Sequence, residues 1–435
     1  MSAAIPPVKG MNDLLPTEAP LWQRLESTVR ELLHAYGYDE MRVPVVEHTD
    51  LFKRAIGEHT DVVEKEMYSF EDKGGERLTL RPEATAGIAR ALISNGMLRG
   101  ARHKLWCIGP MFRHEKPQKG RFRQFHQVDV EAVGFAGPDI DAELIALTAA
   151  FWRRLGIGRV TLQINSLGTA EARRAYRAVL ADWFRAREAA LDEDSRRRLE
   201  GNPLRILDSK NPAMQELIAA APSLPEHLDV GSRAHFDELQ GMLRALGVPF
   251  VINPRLVRGL DYYSRTVFEW TTDALGAQDA VCSGGRYDGL ITQLGGEATP
   301  AIGFAMGVER VVELMVQSGI APAARGADLY LVAQGEAPVR AALPLADALR
   351  AALPGRRIEV NLGGGNFKAQ FRRADRSGAP LAVVLGEDEL ARGMAQLKPL
   401  HEGAGAPTEI GLATVPTAVA AWFDEQAHRP EETRA

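Results

Sequence analysis

The chain has 435 residues, 45% hydrophobic and 25% charged, an ordinary globular composition that allows two or three domains and a sizeable core. Its net charge of −5 excludes a globally basic surface, so any nucleic-acid contact must come from local patches. The two cysteines, Cys107 and Cys282, lie far apart and outside any Cys-x-x-Cys pattern, which argues against a disulfide framework and a cysteine zinc site.

The opening stretch MSAAIPPVKGMNDLLP holds two early prolines and no apolar core of signal-peptide length. No apolar run approaches the roughly 20 residues needed to span a bilayer, so a cytoplasmic protein with no membrane partner is expected. Leu21, Trp22, Leu25, Val29, Leu32, Leu33 and Tyr36 then recur at helical spacing, with Gly37 as a stop. Residues 41–46 predict a short strand, and Pro44 places it at an edge because proline cannot donate to a ladder. This helix and strand suit a dimer contact or plain core packing.

Residues 78–81 and 104–113 read as strands around a helix at 83–95, and 125–133 as a third strand. Val160, Leu162 and Ile164 alternate with polar residues, the period of a half-buried strand. Such clustering predicts a mainly antiparallel sheet flanked by helices. From 169 to 250 the chain becomes rich in Ala, Arg, Glu and Leu, with helices at 172–190 and 235–246, and reads as a helical insertion. Strand-like, glycine-rich segments resume at Val251 and end in a helix at 307–317. A linker at 318–327 leads to strands at 328–333, 357–362 and 381–385. These alternate with helices at 339–352 and 367–377, which predicts a small α/β domain with a mainly parallel sheet.

The most informative stretch is residues 112–127, FRHEKPQKGRFRQFHQ. Between Arg113 and Arg123 five basic residues face one acid, Glu115, and Pro117 and Gly120 mark a turn. Arginine forks suit phosphate oxygens and Phe125 can stack on a base, but a solvated basic hairpin has the same composition. In Leu80-Arg81-Pro82-Glu83-Ala84-Thr85, a carboxylate and a hydroxyl open a helix. Glu83 can bind an amino group or complement the helix dipole. Val257-Arg258-Gly259-Leu260-Asp261-Tyr262-Tyr263 sets an arginine beside paired tyrosines. Two glycine-rich stretches, 283–289 and 301–310, allow close backbone approach but carry neither a Walker A loop nor a G-x-G-x-x-G fingerprint. In the last domain Lys368, Arg372 and Arg376 share a helix face, fit either for an RNA backbone or for water.

Together these segments resemble the class II aminoacyl-tRNA synthetases and, within them, the histidyl-tRNA synthetase family. The helix with Pro44 is similar to motif 1, residues 112–127 to motif 2, and residues 303–310 to motif 3. Residues 256–263 and 284–289 match segments specific to the histidine enzymes. The resemblance runs from about Lys9 to Ala420, and only Ala84 and Ser283 stand where glycine is frequent. It implies an α/β fold: an α+β catalytic domain at 1–168 and 251–325, a helical insertion at 169–250, and an anticodon-binding domain at 326–425 before a polar tail at 426–435.

The resemblance also implies roles. Arg113 grips the α-phosphate of ATP, Glu115 meets the adenine, Phe125 stacks beneath it and Arg310 reaches the far phosphates. Arg258 takes the opposite side of the α-phosphate, as the second catalytic arginine. Glu83, Thr85, Gln127, Glu131, Tyr262, Tyr263 and Tyr287 form the histidine pocket. Lys116, Gln118, Arg121 and Arg123 at the hairpin tip, with Lys368, Arg372 and Arg376, face tRNA. The implied partners are ATP with its Mg2+, L-histidine, the tRNA for histidine and a second copy of the chain, with no metal site of the protein's own. A regulatory paralogue, a synthetase for another amino acid and a nonenzymatic RNA-binding module each fit less of the pattern.

Overall fold

The computed structural model describes residues 5–58, 60–118, 120–207, 209, 211–257, 260–275, 280–321, 326–400 and 406–428. It divides into two compact units, Met1–Pro322 and Ala323–Ala435.

The first unit is built on strands β1 (Asp39–Glu40), β2 (Val46–His48), β3 (Tyr68–Glu71), β4 (Arg77–Leu80), β5 (His103–Phe112), β6 (Gln124–Val133), β7 (Thr161–Ser166), β8 (Val251–Ile252), β9 (Ser264–Thr271), β10 (Ala280–Arg286) and β11 (Ala301–Gly307). Eight of them form one sheet in the order β1-β5-β6-β11-β10-β9-β7-β8. The interior pairings are antiparallel, as expected, and β1 and β8 close the two edges in parallel. The edge strand expected at 41–46 does not form. Instead β1 ends at Glu40 in the large sheet and β2 begins at Val46 in a separate three-stranded sheet, β2-β4-β3. Pro44 lies in the crossing, where a missing backbone donor breaks no ladder.

The two faces of the large sheet differ because β6 alternates. Val128, Val130 and Ala132 point into a core shared with helices Ala19–Ala35, Pro138–Leu155, Val230–Ala245 and Val308–Gln317. Phe125, Gln127, Asp129 and Glu131 point the other way, by the period of two. There the sheet meets helix Thr85–Ser94 and the helical stretch that begins with Ala170–Arg185. The last helix of the expected insertion, Val230–Ala245, packs on the opposite face and feeds β8.

In the second unit β12 (Leu329–Ala333), β13 (Ile358–Val360) and β14 (Leu381–Leu385) are parallel, as their alternation with helices predicts. Two unanticipated strands, β15 (Met394–Pro399) and β16 (Thr408–Gly411), add an antiparallel pair and make the sheet mixed, in the order β13-β12-β14-β15-β16. The runs LYLVA and LAVVL are buried throughout because helices cover both faces. No helix among the described residues is long and apolar enough to cross a membrane.

Candidate active site

The open face of the large sheet carries a cavity of about 860 Å³. The hairpin of β5 and β6 runs through ten residue pairs, from His103 opposite Val133 to Phe112 opposite Gln124, and its loop hangs over one end of this cavity.

That end is cationic. Arg113 donates from Nε to the Pro82 carbonyl at 2.9 Å, and its guanidinium lies 5.4 Å from the Phe125 ring centroid. Arg121 forms an ion pair with Glu115, and both line the wall. Arg310 comes from the first turn of helix Val308–Gln317, with its stem 3.6 Å from where a Cβ on Gly120 would sit. Glu309 anchors that helix to β6: both its oxygens accept the His126 backbone N–H at 2.9 Å, and His126 Nδ1 is also 2.9 Å from Oε1. His126 in turn packs edge-on to Trp22 of helix Ala19–Ala35. The three class-level motifs thus meet at one point.

The opposite end is acidic and closed. Glu131 is 1% exposed; its Oε1 accepts from Thr85 Oγ1 at 2.6 Å and its Oε2 from the Tyr287 hydroxyl at 2.5 Å. Burial pushes its carboxyl up to about 8 despite these donors. Across the ladder stands Gly303, where any Cβ would collide with the Glu131 carboxylate. Glu83 lies just ahead of helix Thr85–Ser94, which starts two residues later than expected. Its oxygens accept the Thr85 and Ala86 backbone N–H groups at 2.9 Å each. It therefore caps the helix and still lines the cavity, with its carboxyl raised by burial. Tyr262, Tyr263 and Tyr287 form a buried cluster, with the Tyr262 ring 4.7 Å from Tyr263 and 5.7 Å from Tyr287. Gly285 leaves room for it, since a Cβ there would stand 2.9 Å from the Tyr263 ring. Burial raises the Tyr262 and Tyr287 hydroxyls well above their ordinary range, so both stay neutral donors.

Between the two ends sit Gln127 and Asp129, and no motif in the sequence marks Asp129. Its carboxylate is fully buried and pushed up to about 8, first by burial and then by the nearby Glu83 charge. Among the described residues Asp129 Oδ1 and Gln127 Oε1 have no hydrogen-bond partner. The odd-numbered alternation of β6 is the signal that could have found Asp129. Arg205 and Gln215 also line the cavity from the helical stretch, and no local signal in the sequence brings them there.

Ala84 is accommodated at a negative φ of −104°, and Ser283 donates from Oγ to Glu269 Oε1 at 3.1 Å, so neither replacement disturbs the wall. Arg258 lies outside the described residues. At the loop tip Arg123 folds back, donating from Nε to the Glu115 carbonyl at 3.2 Å, while Lys116 and Gln118 stand away from the cavity wall. Lys368, Arg372 and Arg376 share an exposed face of helix Phe367–Ser377 in the second unit. No group of three or more His, Cys, Asp or Glu among the described residues is placed to hold a metal ion.

A cation-and-aromatic end joined to a closed acidic end suits one ligand bearing phosphates and another, small and polar, bearing a positive charge. A family model described as histidyl-tRNA synthetase matches residues 10–311, and one described as an anticodon-binding domain matches residues 328–422. Among solved structures, apo histidyl-tRNA synthetase from S. aureus is 32% identical, with a TM-score of 0.80 over 96% of this chain and 100% of that one. Histidyl-tRNA synthetase from Nostoc sp. PCC 7120 shares the fold at 22% identity and a TM-score of 0.67, over 97% of this chain and 100% of that one. A structure from Bacillus halodurans described as an ATP phosphoribosyltransferase regulatory subunit/histidyl-tRNA synthetase shares it at 22% identity and a TM-score of 0.65. There 89% of this chain and 99% of that one are covered.

Proposed function

The chain belongs to the histidyl-tRNA synthetase family and has the function of a histidine–tRNA ligase; from that premise we propose how the cavity divides the reaction. ATP lies at the cationic end, with its adenine on Phe125 beside Glu115, its α-phosphate at Arg113 and its outer phosphates toward Arg310. Histidine lies at the acidic end. Its ammonium and imidazole donors face the pocket of Glu83, Thr85, Gln127, Glu131, Tyr262, Tyr263 and Tyr287, and its carboxylate points toward Arg113. The observation that carries this reading is the polarity of one cavity wall, from Arg113 and Phe125 at one end to Glu131 and Tyr287 at the other.

The carboxylate then attacks the α-phosphorus in line and pyrophosphate leaves. No protein nucleophile is needed, because positioning and the arginine charge lower the barrier. Arg258 takes the second side of the α-phosphate, as its place in the histidine-specific segment implies. Mg2+ accompanies ATP and neutralises its phosphates. The terminal ribose hydroxyl of the tRNA for histidine takes the aminoacyl group from histidyl-adenylate. The tRNA is read in part by the second unit, where Lys368, Arg372 and Arg376 offer a basic face. At the hairpin tip Lys116 and Gln118 turn toward the acceptor end, and Arg121 and Arg123, held at Glu115, join them when the tRNA end reaches the cavity.

The working unit is a cytoplasmic homodimer, paired through helix Ala19–Ala35 and the segment around Pro44, which resemble motif 1. The exposed Val46 and Phe70 of the small sheet support a covered face there. The division at 169–250 and at 326 is likewise part of this reading. Pyrophosphate exchange into ATP, run with each standard amino acid, tests it: histidine alone should drive exchange, and equal exchange with another amino acid overturns it.

A further inference from the structure

The loop before β9 carries Tyr262 and Tyr263, yet residues 260–263 join no strand or helix. Their buried carbonyls need partners from elsewhere. One side chain supplies two of them. Arg173, in helix Ala170–Arg185, donates from Nη2 to the Asp261 carbonyl at 3.0 Å and from Nη1 to the Tyr263 carbonyl. These two carbonyls bracket Tyr262, so one planar fork holds the backbone on both sides of that ring.

Two further contacts brace the same loop. Asn202 donates from Nδ2 to Asp261 Oδ1 at 2.9 Å, again from the helical stretch. On the other flank, the Asp261 backbone N–H donates to the Ile56 carbonyl at 3.2 Å, and Gly57 lets the Asp261 carboxylate lie close, since a Cβ there would stand 2.8 Å from Oδ2. The Tyr262 ring held in this way packs against Tyr287, whose hydroxyl bonds Glu131. Arg173 therefore sits three contacts from the acid at the closed end of the cavity, and among the described residues it hydrogen-bonds nothing at the cationic end.

We propose that Arg173 is a positioning residue of the histidine pocket, through which the helical stretch between β7 and β8 fixes Tyr262 and Tyr263. The proposal rests on the division of the cavity given above. It implies that the helical stretch contributes to amino-acid selection without touching the amino acid through Arg173.

The test is pyrophosphate exchange by the full-length chain, varying histidine and ATP separately in Arg173→Ala, Arg173→Lys and Asn202→Ala. Misplacing a pocket wall without removing it should raise KM for histidine about tenfold in Arg173→Ala, with KM for ATP within about twofold of the parent. Lysine should recover part of the loss, because an ammonium reaches a carbonyl but lacks the fixed fork. Asn202→Ala should shift the same parameter in the same direction by less. If Arg173→Ala melts below the assay temperature, the other two variants decide. An unchanged KM for histidine in the folded variants, or an equal rise in both KM values, overturns the proposal. Failure of the parent chain to use histidine is a separate result, and it overturns the reading of the cavity itself.

Discussion

Strand β6 ends in two different chemistries. At its hairpin end Arg113, Arg121 and Arg310 reach the cavity from loops and a helix start, partly open to water. Arginine stays charged there whatever surrounds it. From its middle onward Asp129 and Glu131 are buried, and their charge depends on how each oxygen is satisfied: Thr85 and Tyr287 hold Glu131, whereas Asp129 Oδ1 has no partner among the described residues. A phosphate site can therefore be recognised from residue type. An amino-acid site made of buried acids is defined only by its hydrogen-bond partners.

The largest expected effect breaks the cationic end. Arg113→Ala should lower the rate of pyrophosphate exchange by about 10²–10³-fold while the melting temperature stays near that of the parent chain. A loss below tenfold would move the α-phosphate contact elsewhere. At the acidic end, Tyr287→Phe removes the hydroxyl that Glu131 Oε2 accepts. KM for histidine should rise by about 5–20-fold, the cost of one buried acceptor left unpaired, with KM for ATP little changed. A matching rise for ATP would erase the distinction between the two ends.

The most gradual effect, spread over several pH units, sharpens the contrast in charge. Asp129 has a carboxyl raised from 3.8 to about 8 in the folded chain. Folding therefore takes up a proton between those values, and the stability this provides is present at low pH and lost as pH rises through about 8. Asp129→Asn has no such proton to take up. Over that range the parent should lose stability more steeply than the variant, by up to about 1.4 kcal/mol per pH unit, read from denaturant melts at a series of pH values. Parallel slopes would show that Asp129 keeps its ordinary carboxylate behaviour.

Periodicity made helix Ala19–Ala35 and β7 legible, because each has enough apolar residues at one spacing to declare its period, while β14 is legible as a short unbroken apolar run in a βα alternation. It failed at residues 41–46, where three valines around a proline look like one strand and are a crossing between two sheets. It does not mark β15 or β16 either: β15 is short with an alternation broken by polar residues, and β16 is a four-residue edge strand.

The sequence by itself determined the antiparallel sheet, the later βα alternation and, through its motifs, the family and most candidate site residues. Tertiary structure decided what each of them faces. It set the Glu131 carboxylate across Gly303, gave Glu83 a helix to cap, brought Asp129 into the same cavity and laid Arg173 across the Tyr262 loop. Arg173 and Asp261 are far apart in the chain and neither belongs to a periodic pattern with the other. Their contact is fixed only when the sheet and the helical stretch pack, because a hydrogen bond depends on distance and direction in space, which spacing along a chain does not encode.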